Sequence, residues 1–590
     1  MLRTARFPHA FVALSLLTGC GAARAPERAR AAPVAASATS QATTAPPPPA
    51  APQADLLARF DALRTRVVEG FLRDDPAWAR TLGLHEYDGQ VGDYAREAIA
   101  ARIERLRGDE RDLAAIDPAA LGDEDAALDL ALLRQQTAEH LFSLVDRDFA
   151  RTRPQFYEDL FSVNGYLDLD YAPLEERARR LVAHEKAALA QAPHVRANLA
   201  PRLSRPAAET SGKNLRGFAT YLRGDVVKLL GGVGDAAFRA DFARTNEALA
   251  READALGRWL LGEVASRGDS SHVLGRERFE KLLRVQEGLE VDLDAFEREG
   301  EANLQANKLA YEALAATTKV ERPRASELIP TAQTLVTSSR QFLVDHAIAT
   351  LPTEDSAIVK ETPPYARWNA ASLEMSGPFD TARNAFYYIT LPDPHWSKKE
   401  QEEYVFPFGT LVATTVHEVF PGHFLQGRWA ERAPTRVQKI AGSYSFVEGW
   451  AHYVEQMMVD EGFLAGDAGV RLGQLRDALL RNCRYVVAIG VHTRGMTLPA
   501  AERRFVADCK QDKAEAREQA VRATFDPGYF AYTLGKMQIL SLREEAKRRL
   551  GDRFSLRAFH DALLSHGAPP VALVRERVLA DLARKLSPAP

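Results

Sequence analysis

Cysteine is scarce in this chain, with three among 590 residues. So few exclude a disulfide framework as the main source of stability, and the fold has to rest on a buried apolar core. An excess of either charge is lacking too. The 76 Lys and Arg are nearly balanced by 80 Asp and Glu, for a formal net charge of -4. No basic stripe and no acidic tail interrupts the mixture, which excludes nucleic acid as an expected partner. No internal repeat is present, so a solenoid is not expected. What remains is an ordinary globular composition, 46% hydrophobic and 26% charged. That is enough for a large core, as one extended domain or as two or three packed lobes.

The N-terminus reads as an address. "MLRTARFPHAFVALSLLTGC" has a short cationic start, Arg3 and Arg6, and an apolar run from Phe11 to Leu17. That run is far too short to span a bilayer, so residues 1–20 are expected to be a secretory signal. Leu17-Thr18-Gly19-Cys20 resembles the bacterial lipobox, in which cleavage exposes the cysteine for lipid attachment. A lipid-anchored protein of the cell envelope follows as an expectation, with Cys20 as the attachment site. Residues 21–54 are rich in Ala, Pro, Ser and Thr, cannot bury enough apolar surface to fold, and are expected to be a disordered tether. Only Cys483 and Cys509 then remain. They could pair in an oxidising compartment, but the sequence reading takes them as core residues.

From residue 55 to the C-terminus the pattern is helical. Leu56, Phe60, Leu63, Val67 and Phe71 recur at spacings of three and four behind Asp55, a plausible cap. Similar amphipathic segments cover about 90–115, 120–148, 174–198, 237–266, 276–317 and 325–350. The exception is "RNAFYYITLPDP", where Phe386, Tyr388, Ile389 and Thr390, stopped by Pro392, predict a short strand. The fold class expected is mainly α with a small β-sheet beside the motif described next.

That motif is "TTVHEVFPGHFLQ", Thr414 to Gln426. The common H-E-x-x-H zinc pattern places two histidines four residues apart on one helix, with a glutamate after the first. Here His417-Glu418 fits, but Pro421 stands where the second histidine belongs and His423 comes two residues late. On an undistorted helix His417 and His423 would lie about 240° apart and could not share a metal. Pro421 lacks an N–H and Gly422 is conformationally permissive, so a loosened turn could return His423 to the side of His417. The alternative is that the helix ends at Phe420 and the two histidines are unrelated.

A zinc hydrolase usually supplies three protein ligands and leaves one position for water. "SYSFVEGWAHYVEQMMVDEG" provides Glu448, His452 and Glu455 at spacings of four and three, along one face of a largely apolar helix. Polar groups on such a face are costly unless paired or bound to metal. Glu448 is the first choice as ligand, with Glu455 or His452 behind it.

The pair His417-Glu418-x-x-Pro421-Gly422-His423-x-x-Gln426 and Glu448-Gly449-Trp450-Ala451-x-Tyr453 resembles the bacterial family called domain of unknown function 885. The likeness runs from about residue 55 to the C-terminus. The resemblance implies a large multi-helix, metallopeptidase-like fold and a zinc-dependent hydrolase, distantly similar to carboxypeptidase Taq, thimet oligopeptidase and angiotensin-converting enzyme. It implies His417, His423 and Glu448 as Zn2+ ligands, Glu418 as general base, and Tyr532, before Gly535, as oxyanion donor. The chain departs from the family pattern at Ala488, where an acidic residue is common, and at Arg383-Asn384, where glycine is more usual. Those departures bear on substrate preference.

The chemistry expected is hydrolysis of short peptides, as a carboxypeptidase or an oligopeptidase. Zinc lowers the pKa of a bound water towards ~7, Glu418 shuttles its proton, and Tyr532 stabilises the oxyanion. Three further residues are candidates. His492 could hydrogen-bond the scissile carbonyl or be a satisfied core histidine. Arg484 could hold a substrate carboxylate or form a structural salt bridge. Tyr388 marks the strand expected to receive an extended peptide by strand addition. The other function classes in view are a zinc hydrolase of another amide or ester, and a non-catalytic envelope protein that binds peptides.

Overall fold

The computed structural model describes residues 51–363 and 370–586. The signal, Cys20 and almost all of the expected tether lie outside the described residues. The mainly α fold with one small sheet is as the sequence predicts. No helix among the described residues is long and apolar enough to cross a membrane.

The first helix, α1 (Ala51–Asp74), begins slightly before Asp55, within the stretch assigned to the tether. Gln53 Nε2 donates to the Leu121 carbonyl at 3.1 Å, which anchors this early turn to the body of the protein. The periodic residues behave as expected, with Phe60, Val67 and Phe71 buried. The segment 276–317 is a correction. It is two helices, Arg276–Glu287 and Leu293–Ala315, separated at Gly288. Gly288 has φ +63, the left-handed conformation in which glycine commonly ends a helix.

Apolar side chains gather into three cores. One joins α1 to α2 (Phe408–Glu418), α3 (His423–Ala430) and α4 (Tyr444–Asp460). A second lies wholly within residues 157–265. The third surrounds the later half of α5 (Ala468–Thr493), α6 (Lys513–Phe525) and the first turn of α7 (Ala531–Leu550). The motif residues fall on the seam between the first and third cores, where α2 and α4 meet α5 and α7.

One crossing at this seam is backbone to backbone. Where α4 meets α7, a Cβ on Gly449 would collide with Gly535, and a Cβ on Gly535 would collide with the Ser445 carbonyl. Close approach, not backbone freedom, is what requires glycine here.

The sheet contains β1 (Ile358–Glu361), β2 (Ala371–Met375) and β3 (Ala385–Ile389) in the order β1-β3-β2. β3 is parallel to β1 and antiparallel to β2. The strand expected to receive a peptide is therefore central, with both edges already paired. Strand addition at β3 is excluded on that ground, because a new strand needs free N–H and C=O groups along an edge.

Cys483 on α5 and Cys509, just beyond the helix Leu498–Ala507, are disulfide-bonded, with Cα atoms 6.2 Å apart. Both are fully buried, so the core reading was right about burial and wrong about pairing.

Candidate metal centre

The motif folds in a way the helix geometry alone did not give. α2 ends at Glu418, the Phe420–Pro421 peptide is cis, and α3 begins afresh at His423. The helix ends, as in the alternative reading, yet the histidines converge. Their ring centroids are 4.7 Å apart, with the planes crossing at 85°. Gly422 makes the turn possible, since a Cβ there would strike the His417 carbonyl. The Trp450 indole donates to the Pro421 carbonyl at 2.8 Å and ties the turn to α4. That helix starts at Ser443, whose hydroxyl accepts from the Phe446 N–H at 3.2 Å. The cap fixes where α4 begins, and Glu448 falls in its second turn facing both histidines.

His417, His423 and Glu448 each offer one donor atom, and these atoms all lie within 4.8 Å of one another. Glu448 Oε2 is 3.4 Å from His417 Nε2 and 3.6 Å from His423 Nε2. Tetrahedral zinc with ligand bonds near 2.0–2.1 Å separates its ligands by about 3.3 Å, close to both distances. They are also too long for good hydrogen bonds. Glu448 Oε2 is buried with no hydrogen-bond partner among the described residues. A buried, unpartnered carboxylate oxygen facing two imidazoles at this spacing fits a divalent cation among the three. Two His and one Glu is a known catalytic zinc set.

A layer behind the three donors orients them. Glu455 Oε1 meets His417 Nδ1 at 2.7 Å, which turns Nε2 towards Glu448. The same carboxylate is 2.9 Å from Arg481 Nη2, and its other oxygen is 3.0 Å from His452 Nδ1. Thus Glu455 and His452 stand behind the ligands. Arg481 was not anticipated. It is one of several arginines along α5, and only the crossing of α5 with α4 selects it.

The electrostatics favour positive charge at the centre. Burial alone would lower the His417 pKa, but Glu448 and Glu455 outweigh it and raise it to about 9. Burial likewise opposes the charge on Glu448, yet His417 and His423 hold its carboxyl well below the usual range.

The remaining candidates divide. Glu418, at the end of α2, is half-buried and makes no hydrogen bond or ion pair among the described residues. Tyr532 lies in the first turn of α7, 6% exposed. Burial first, then the Glu448 carboxylate, pushes its phenol up to about 12, so it keeps its proton at neutral pH. Arg484 stands 4.8 Å from the ring centres of both Tyr529 and Tyr532. The structural salt bridge weighed for it is absent among the described residues. Its Nε donates to Gln519 Oε1 at 3.0 Å.

His492 and Tyr388 are not brought to the cluster. His492 is fully buried, with Nε2 2.8 Å from the Ala523 carbonyl and its ring against Phe279. Burial lowers its pKa to about 3. The core reading is the one that describes it, and it leaves the catalytic set. On β3, Tyr387 faces α2, its hydroxyl 3.3 Å from Thr415 Oγ1. By alternation Tyr388 lies on the opposite face of the sheet, beside Phe386.

Comparison with known proteins places these features in a family. No curated protein matches the chain. Among solved structures, one described as a candidate lipoprotein of unknown function from Shewanella oneidensis aligns with a TM-score of 0.74 and 21% identity. It covers 88% of this chain and 99% of its own. A second, a candidate lipoprotein from Colwellia psychrerythraea, aligns with a TM-score of 0.70 and 19% identity, over 90% of this chain and 99% of its own. At such identities the likeness is one of fold. A family of bacterial proteins of unknown function, DUF885, matches residues 76–578, a span that contains every residue of the metal-centre candidate. This chain belongs to that family.

Proposed function

We propose that the protein is a zinc-dependent peptidase of short peptides, held to the bacterial envelope by a lipid on Cys20. The observation that carries the first part is the convergence of the His417, His423 and Glu448 donor atoms within 4.8 Å, with Glu418 directly after the first of them. When bound, zinc would polarise the scissile carbonyl and make a water nucleophilic near neutral pH.

The chain's own groups do the rest. Glu418 takes a proton from the attacking water and returns it to the leaving amine. Glu455, braced by Arg481, keeps His417 in the tautomer that presents Nε2. Tyr532, protonated at neutral pH, donates to the developing oxyanion. Metal analysis of the purified protein, followed by digestion of a peptide library beside blocked amides and esters, tests the reading. Hydrolysis of peptides by zinc-loaded protein is the expected result, and hydrolysis confined to esters would replace it with another hydrolase.

Tyr532→Phe should lower kcat by about 100-fold with little change in KM, because an oxyanion donor acts chiefly in the transition state. Steady-state kinetics on one peptide measure both constants.

The lipid anchor is supported by Leu17-Thr18-Gly19-Cys20 and by the description of both similar structures as candidate lipoproteins. Cys20→Ala should move the protein from the membrane to the soluble fraction without altering peptide turnover. Fractionation followed by immunoblotting checks it, and unchanged membrane association would remove the anchor from the proposal.

A further inference from the structure

We infer that Arg484 is a receptor for the C-terminal carboxylate of the substrate, which makes the activity that of a carboxypeptidase removing one or two residues. This rests on the peptidase reading above and names the substrate class of the same site.

Three arginines surround the pair Tyr529 and Tyr532, and two of them are committed. Arg481 pairs with Glu455 at 2.9 Å. Arg522 pairs with Asp526 at 3.2 Å and donates to the Tyr444 hydroxyl at 3.0 Å. Arg484 has no carboxylate partner among the described residues. It is nevertheless held in place. Gln519 Oε1 accepts from its Nε at 3.0 Å, and the same oxygen accepts from the Tyr529 hydroxyl. The faces of Tyr529 and Tyr532 flank the guanidinium, each 4.8 Å from it.

This is a fork with its handle fixed. With Nε occupied and the plane braced by two rings, the Nη groups carry no carboxylate among the described residues and can donate to one from a ligand. Paired N–H donors in one plane match the two oxygens of a carboxylate. A cation half-buried against aromatic faces without a counter-ion is also costly unless a ligand supplies one. The position suits a peptide terminus. Tyr532 links Arg484 to the metal centre: its ring centre is 4.8 Å from Arg484 and 5.9 Å from Arg481, which pairs with the Glu455 carboxylate behind His417. A residue spans about 3.3–3.6 Å of extended chain. A carboxylate on Arg484, past a Tyr532 that touches the reacting carbonyl, is therefore one or two residues beyond the scissile bond.

The test uses the zinc-loaded full-length protein with one peptide as the free acid and as its C-terminal amide. The acid should be cleaved with a kcat/KM about 100-fold above the amide, the scale of losing one charged partner from a buried pair. Arg484→Ala should bring that ratio near one, chiefly through KM for the acid, and Arg484→Lys should give an intermediate ratio. A second readout avoids turnover. In the Glu418→Gln protein, calorimetry should show the acid binding about 100-fold more tightly than the amide, with the difference lost when Arg484→Ala is added. Equal cleavage of acid and amide, or cleavage at internal bonds, would overturn the inference and leave the peptidase reading standing. No cleavage of either peptide would overturn both. Equal loss on acid and amide in Arg484→Ala would mark the residue as structural and overturn the inference alone.

Discussion

Glu418→Gln should reduce peptide turnover by at least about 1,000-fold while the protein keeps its zinc. Glutamine has nearly the same shape, so the end of α2 is undisturbed and His417 stays where Glu455 holds it. What is lost is the proton acceptor. Glu418 lies outside the three-donor cluster and is committed to no partner among the described residues, as a residue that must both take and return a proton has to be. General acid–base groups contribute about 100- to 10,000-fold, and here one group serves both proton transfers, which argues for the upper part of that range. Zinc content by mass spectrometry and turnover of a single peptide are the two measurements. Normal zinc with full activity would sink the mechanism. Loss of zinc would recast Glu418 as a ligand.

The second large effect is on the metal itself. Purified protein should carry about one zinc per chain, and His423→Ala or Glu448→Ala should each bring occupancy close to zero, since two remaining donors cannot close a tetrahedral site. Glu455→Ala should be milder. It removes no donor but frees the His417 ring, and partners of this kind typically affect metal affinity by about 10- to 100-fold. Competition with a chromogenic chelator would rank the three. Circular dichroism should stay unchanged throughout, because these groups lie at the seam between cores. Full zinc occupancy in His423→Ala would end the reading of the HExxPGH turn as a metal centre.

How much of this was legible depended on whether the cause was local. Pro421 and Gly422 announced an irregular turn, since both residue types act on their own backbone. Where the turn would lead was not local, because Trp450 holds Pro421 from another helix. β3 was visible because its five residues are apolar and all buried, whereas "IVKE" and "ASLEM" in the edge strands carry no strong alternation. Without those strands β3 could not be recognised as central, and strand addition was assigned to the wrong backbone. Cys483 and Cys509 are separated by 26 residues, and only the return of the chain after α5 sets their Cα atoms 6.2 Å apart. The carboxylates of α4 were readable from spacing along one helix. Arg481 was not, because its role is decided by which helix α5 crosses.

The contact of Gly449 with Gly535 sets how far a tilt of α7 would carry to the site. Glu448 is the neighbour of the first glycine, and Tyr532 is three residues from the second. The lever arm is short, about 4.5 Å of helix between Gly535 and Tyr532. A tilt of about 10° would therefore shift the Tyr532 backbone by less than about 1 Å. The far end of α7, about 22 Å away at Leu550, would swing several times as far. Any tilt of α7 about this contact would thereby be geared down before it reached the phenol.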